Sequence, residues 1–288
     1  MEYFVIDPST SREFIDFRAL DFSHVRVLGH YETPAALPML EPHSHGELLE
    51  ICYLERGEQT YEVNGQEYQV HGGDVFVTFP GEPHSTSGKP QTRGSLFWML
   101  IGVTLRDQPF LDLPKTEGDA LYQALLHLPQ RLFAGRSSLL PLLRGLFSDA
   151  ARMDDPLRML RLRVGIWHFL MEVVAAAGAA PAQLLSADIA AACQFVKAHP
   201  EEVLGAPELS ERAGLSVSHF SRKFREEMGM SVSDFVLGQK IEHAQQLLSH
   251  RKLTVTEVAM RLGFSSSQYF ATVYRRHMGC SPSEARRK

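Results

Sequence analysis

The sequence predicts an α+β multidomain protein: an N-terminal β-barrel, a helical segment behind it, and a C-terminal all-α domain built on two helix–turn–helix units. Three observations predict this. Residues 41–86 alternate apolar and polar side chains between glycine-marked turns, residues from about Thr116 onward switch to helical spacing, and a stretch at 209–231 returns at 258–281. The expected boundaries are a barrel over 1–114, helices over 115–178, a linker over 179–185 and the all-α domain over 186–288.

In the barrel, Gly57, Asn64–Gly65, Gly72–Gly73 and Pro80–Gly81 punctuate short strands. Asn64–Gly65 is the sharpest signal, because this pair accepts the positive φ angles of a two-residue hairpin turn. Several strands at this spacing form a small barrel or sandwich. In the helical segment, Leu157, Leu160, Val164, Trp167, Met171 and Val174 recur at alternating steps of three and four. Such a stripe either packs on the barrel or forms the seam of a homodimer, and both readings hold if two faces are used. Ala175 to Gln183, with Gly178 and Pro181, lacks the bulk and periodicity to pack and reads as a linker.

The repeat is the strongest evidence. Leu209, Gly214, Ser216, Phe220, Phe224, Met228, Gly229 and Ser231 align with Val258, Gly263, Ser265, Phe270, Tyr274, Met278, Gly279 and Ser281, at an offset of 49 that becomes 50 after one inserted residue. Each copy reads as a helix ended by a glycine turn, then a second helix with Ser216 or Ser265 as its N-cap. In the second helix the aromatic and methionine positions, four apart, make the buried side. The opposite face presents Ser218, Ser221, Arg222 and Arg225 in the first copy and Ser267, Gln268, Ala271, Thr272, Arg275 and Arg276 in the second. Arginine can donate twice to guanine, glutamine can pair with adenine, and small methyl-bearing side chains can touch thymine, so both faces suit a major groove of double-stranded DNA. Arg275, Arg276, Arg286, Arg287 and Lys288 suit phosphates. Asp234 to Ser249 reads as a helix joining the copies, long enough to hold two reading heads about one turn of the duplex apart.

Charge and composition agree. The net charge of −5 is uneven: from Ser186 onward 14 Lys and Arg meet 11 Asp and Glu, a balance of +3, whereas the preceding residues carry 15 against 23, or −8. Cys52, Cys193 and Cys280 stand far apart without a CxxC pair, so the sequence suggests neither a disulfide framework nor a zinc ribbon. The N-terminus lacks a basic region and the most apolar stretch, Val164 to Ala180, is interrupted by His168, Glu172 and Gly178. A cytoplasmic protein with no membrane partner is expected.

The pattern Val255-x-x-Val258-Ala259-x-x-Leu262-Gly263-Phe264-Ser265, then Tyr269–Phe270, then Met278-Gly279-x-Ser281-Pro282-Ser283 resembles the second module of the AraC/XylS family of bacterial transcription regulators. The resemblance covers about Ser186 to Arg287 and implies a seven-helix DNA-binding domain opening with Ala187 to His199. It also implies a homodimer that responds to a small-molecule effector, a sugar by family analogy, and RNA polymerase as a partner if the protein activates. Two positions depart from the family pattern: Thr272, where Arg or Lys is frequent, and Lys240, where the connecting helix usually has Arg.

His43-Ser-His45-Gly-Glu-Leu-Leu-Glu50, with Gly57 beyond, resembles the first motif of the cupin superfamily, and Gly73 to His84 a degraded second motif. The resemblance implies a cupin-like barrel with His43, His45, Glu50 and His84 as one group. Three imidazoles and a carboxylate suit a first-row divalent metal such as Zn, Ni, Mn or Fe. Three readings stand: polar lining of an effector pocket without metal, a metal site within a sensor, or structural histidines. Strand parity places His43 and His45 on one face but not Glu50, unless Gly46 permits a bulge; otherwise Glu47 takes its place. Tyr53, Tyr61, Phe76, Trp98 and Arg93 are further lining candidates. Together these features predict a ligand-responsive transcription factor and not an enzyme, the alternative being a metal-dependent cupin enzyme with a tethered DNA-binding domain.

Overall fold

The computed structural model describes residues 4–7, 12–20, 22–34, 36–103, 109–179, 185–249 and 253–286. Most of the expected linker and the termini holding Arg287 and Lys288 lie outside them. The N-terminal half contains β1 (Phe4–Asp7), β2 (Arg12–Asp16), β3 (Val25–Thr33), β4 (Leu37–Met39), β5 (Leu48–Arg56), β6 (Glu58–Val63), β7 (Gln66–His71), β8 (Asp74–Thr78), β9 (His84–Ser85), β10 (Pro90–Gln91) and β11 (Gly94–Gly102). Then come α1 (Lys115–Leu126), β12 (Leu132–Ala134), α2 (Leu139–Ala150) and α3 (Arg158–Ala177). The C-terminal half is α4 (Ala187–Ala198), α5 (Ala206–Arg212), α6 (Val217–Met228), α7 (Val232–Ser249), α8 (Val255–Arg261), α9 (Ser267–Met278) and α10 (Pro282–Ala285), the seven helices expected there.

A seven-stranded antiparallel sheet in the order β1-β2-β3-β11-β5-β8-β12 faces a three-stranded sheet, β7-β6-β9, and the pair β10-β4. Asn64 and Gly65 have φ of 53° and 79° and join β6 to β7 with Val63 opposite Gln66, which is the expected hairpin. The two-residue period of β5 divides the cores. Leu49, Ile51 and Tyr53 point outward, into the apolar layer under α1, α2 and α3, while Cys52 and Leu54 point into the barrel with Tyr61, Phe76 and Leu96. Trp98 lies directly opposite Gly29 across β11 and β3. A Cβ on Gly29 would sit 2.0 Å from its indole ring, so the missing side chain makes room for Trp98 beside Tyr31.

The segment expected to be helical holds one strand. Leu132–Ala134 pairs with β8 and extends the barrel sheet, a contact between distant residues that local periodicity does not report. Helix α3 has two apolar faces, as the open alternatives allowed. Leu162, Ile166, Phe169, Leu170 and Val173 are buried against the barrel and α2. Leu157, Leu160, Val164 and Met171 are each at least half exposed, and Trp167 and Val174 lie between the two faces.

Two small cores carry the C-terminal half, and α7 links them. Val232, Phe235 and Val236 pack with Phe220, Phe224 and Met228 in the first, and Ile241, Ala244 and Leu248 pack with Phe270 and Tyr274 in the second. Burying each phenylalanine contributes about 1.5–3 kcal/mol. The connecting helix begins at Val232, two residues before the expected Asp234. Its 18 residues span about 27 Å.

Candidate nucleic-acid interface and barrel site

Each reading helix is fixed by glycine and serine. Gly214 and Gly263 adopt φ of 66° and 74° between α5 and α6 and between α8 and α9. Ser216 caps α6, its Oγ accepting from the His219 N–H at 3.4 Å. The cap of α9 is Ser266, not the expected Ser265: its Oγ accepts from the Tyr269 N–H at 3.1 Å. The residue inserted in the second copy sits just here, so the cap moves one position along. Gly229 and Gly279 end both helices in the left-handed conformation.

The polar faces lie outside both cores. Ser218, Arg222 and Arg225 are exposed and Ser221 is half-buried. Among the described residues, neither Arg222 nor Arg225 has an ion pair, so both guanidinium groups are available to an anion. Lys223, between them, is instead bound to Asp188 at 2.7 Å and ties α6 to α4. Hydrogen bonding from Lys223, then Ser186, holds the Asp188 carboxyl down at about 2. On α9, Gln268, Thr272, Arg275 and Arg276 are exposed, and Ser267 and Ala271 are half-buried. The Thr272 hydroxyl donates to the Gln268 carbonyl at 3.1 Å, which occupies the hydroxyl on its own helix. Arg275 faces Glu284 at 3.7 Å.

Arg276, expected at a phosphate, is engaged by the barrel. Its Nε donates to the Pro34 carbonyl at 3.3 Å, and its own carbonyl accepts from the Ala36 N–H at 2.7 Å. The barrel also reaches the first unit. Arg93 pairs with Asp234 at the start of α7, and a Cβ on Gly229 would fall 2.3 Å from the Gly72 Cα, so the two glycine turns meet backbone to backbone. Arg93 is therefore a junction residue, not a barrel-lining one. Tyr53 points to the outer core, whereas Tyr61, Phe76 and Trp98 belong to the interior cluster.

Within the barrel, ring nitrogens of His43, His45 and His84 lie within 4.8 Å of one another. His43 and His84 are neighbours through reciprocal backbone hydrogen bonds of 2.9 and 3.1 Å. Gly46, at φ 61°, turns the chain before β5 and removes the parity conflict, so Glu50 joins the histidines. Its Oε2 is 3.2 Å from His84 Nε2 and 3.5 Å from His45 Nε2, and it accepts from Thr78 Oγ1 at 3.2 Å. Burial acts to raise the Glu50 carboxyl, but the His45 and His84 imidazoles beside it outweigh burial and bring it down to about 2. Burial likewise opposes charge on His84, yet Glu50 lifts it above its ordinary value. His45 Nε2 is fully buried with no hydrogen bond. An orphaned imidazole nitrogen facing two other imidazoles and a carboxylate fits a divalent metal.

Sequence reasoning missed the domain junction. Its residues come from strands and helices far apart in the chain, and no local pattern marks them. Lys240 was visible only as a departure: it is buried, and its amino group donates to the Leu262 carbonyl at 2.8 Å.

A barrel joined to paired helix–turn–helix units defines a two-domain protein of the helix–turn–helix type. Residues 28–162 match the AraC-like ligand binding domain, and residues 209–288 match the helix-turn-helix domain model. The chain belongs to the AraC family. The HTH-type transcriptional regulator YfiF of Bacillus subtilis is 25% identical over 272 residues, covering 89% of this chain and 79% of that protein. An HTH-type transcriptional regulator of Staphylococcus aureus is 36% identical over 94 residues, which are 33% of this chain but 13% of that protein. The chain thus matches only a small part of the length of these staphylococcal relatives. The DNA-binding domain of AdpA, solved in complex with a target DNA, is 31% identical and covers 35% of this chain and 92% of its own, with a TM-score of 0.34.

Proposed function

We propose that the chain is a sequence-specific DNA-binding transcriptional regulator that works as a cytoplasmic homodimer and answers to a small molecule. The observation that carries this reading is the pair of capped reading helices, with exposed polar faces, on a chain whose other half matches a ligand-binding domain. Arg222 and Arg225 on α6 read guanine or hold phosphate, and Gln268, Ala271 and Thr272 on α9 read A·T pairs. Among the described residues no helix is long and apolar enough to cross a membrane, which accords with this setting. RNA polymerase is a partner if the protein activates.

The exposed α3 stripe meets its counterpart on a second copy, because its steps of three and four are those of a helix–helix seam and its other face is already used. The histidines and Glu50 hold a divalent ion, Zn, Ni, Mn or Fe, and the barrel domain receives the effector, a sugar by family analogy. The matched families and named relatives are regulators, and no enzymatic reaction is proposed.

The test is selection of DNA by the full chain, followed by Arg222→Ala. A bound consensus with two elements about one helical turn apart, and about 1–3 kcal/mol lost at one base position in the variant, supports the reading. Equal loss on every base assigns Arg222 to phosphate, and absence of any preferred sequence defeats the proposal.

A further inference from the structure

The barrel and the C-terminal half meet around a cavity of about 520 Å³. One wall is barrel, including Glu58 and Thr60 of β6 and Gln69 of β7. The facing wall includes one side of α7, where Asp234, Gly238, Glu242 and Gln245 fall at the i, i+4, i+8, i+11 spacing of one helix face, together with Arg276, His277 and Met278 of α9. The charges on these walls are nearly all matched. Glu32 pairs with Arg56 at 2.5 Å, Lys89 with Glu67 at 2.9 Å, and Arg93 with Asp234; Arg276 rests on the Pro34 carbonyl. Burial, then the charges of Arg93 and Arg276, keep His277 neutral.

Glu58 and Glu242 are the exceptions. Neither makes an ion pair with any described residue. Glu58 points across the cavity: its Oε1 lies 4.0 Å from the place a Cβ on Gly238 would take, one helical turn before Glu242. Lys89 and Lys197 act on both carboxylates from a distance, and His71 acts on Glu58, but none closes to a pair. Burial raises the Glu58 carboxyl, with Glu242 adding to the rise; Glu242 is itself exposed to solvent, and its carboxyl is raised by the protein around it against a hydrogen bond from Gln239. Two facing carboxylates of two domains, each short of positive charge, stand in a space large enough for a small molecule.

We propose that this cavity binds a small organic cation of the ammonium class, its charge seated between Glu58 and Glu242 and its body against Thr60, Gln69 and Gln245. Because the two carboxylates belong to different domains, the ligand fastens the barrel to α7, the helix that spaces the reading heads. Only this consequence for DNA rests on the regulator reading; the binding site stands on the cavity and its charges.

The experiment is calorimetric titration of the full chain, without DNA, with 1,4-diaminobutane, butane-1,4-diol and succinate, paired with thermal melting. Diaminobutane is expected to bind and to raise the melting temperature with the logarithm of its concentration, while the diol and succinate do neither. Glu58→Gln and Glu242→Gln are each expected to weaken binding at least tenfold. Both remove an unpaired charge and should melt no earlier than the parent, which guards against simple misfolding. Equal binding of the diol or succinate, binding unchanged by both Gln variants, or no binding at 10 mM diaminobutane, a level on the order of a weak site's reach, overturns the proposal. Failure of the chain to select DNA would leave this result intact.

Discussion

The Lys240 amino group donates a hydrogen bond to the Leu262 carbonyl at 2.8 Å, so the helix joining the two units grips the end of α8 just before the Gly263 turn. The lysine is buried, and desolvation lowers its pKa. Replacing it with methionine keeps much of the volume but strands a carbonyl. An unsatisfied buried acceptor costs about 1–3 kcal/mol. Lys240→Met should therefore lower the melting temperature and raise hydrogen exchange in α8 and α9 more than in α5 and α6. Lys240→Arg, which keeps a donor, should recover much of the loss. Uniform exchange across both units would show that the bond does not serve the second unit in particular.

His277 gives the domain junction a pH dependence with a definite sign. Burial first, then Arg93 and Arg276, pull its pKa down from 6.5 to about 4, with Asp234 opposing. The unfolded chain therefore takes the proton first as the pH falls. The full native stability stands above about pH 6.5 and is lost on descending toward pH 4. One pKa unit is worth about 1.4 kcal/mol, and since opening of the junction can relieve part of the strain, a loss of about 1–2 kcal/mol is expected. Glu58 and Glu242, with raised values, act in the opposite direction, so the measurement is the difference between the parent and His277→Gln. Melting curves from pH 7.5 to 4 should converge toward those of the variant at the acid end. Parallel curves would mean that His277 titrates alike in both states.

What the sequence disclosed follows the range of the interactions. Phe220, Phe224 and Met228 lie four apart on one helix, so their burial is a local fact and could be read directly. Glu50 could be placed with the histidines because Gly46 offered the one backbone conformation that breaks strand parity. The shift of the cap from Ser265 to Ser266 turns on where a single inserted residue is absorbed, and two adjacent serines look alike in sequence. β12 and the engagement of Arg276 by Pro34 were hidden for another reason: both are set by a partner far along the chain. Helix periodicity marks which face of α9 is polar but not whether the barrel already occupies part of it.

The barrel quartet makes a prediction about metal. Three imidazoles and Glu50 already converge, with His45 Nε2 lacking a hydrogen bond. Protein purified without chelator should carry about one equivalent of a divalent first-row ion. His45→Ala should lose at least the ten- to hundredfold in affinity that removal of even a supporting partner costs. Metal analysis by plasma emission with competition against a chelator reads both. Equal metal in parent and variant would place the ion elsewhere, and none in either would leave the quartet as polar lining of the pocket.

The outer face of α3 decides the state of assembly. Leu157, Leu160, Val164 and Met171 are all at least half exposed, although the same helix buries Leu162, Ile166 and Leu170 beneath it. A single stray apolar residue on a surface means little, but four in register along one helix form a contiguous strip that water disfavours. Charge placed in the strip should therefore act on association and spare folding. Leu160→Glu with Val164→Glu should convert a dimer to a monomer in sedimentation, a shift of more than a hundredfold in dissociation constant if each buried side chain contributes about 1.5 kcal/mol or more. Its melting temperature, extrapolated to low protein concentration, should match the parent's, because neither residue belongs to the inner core. A parent that sediments as a monomer at micromolar concentration would remove the strip as a seam, and a variant that unfolds would show that these leucine and valine side chains support the barrel instead.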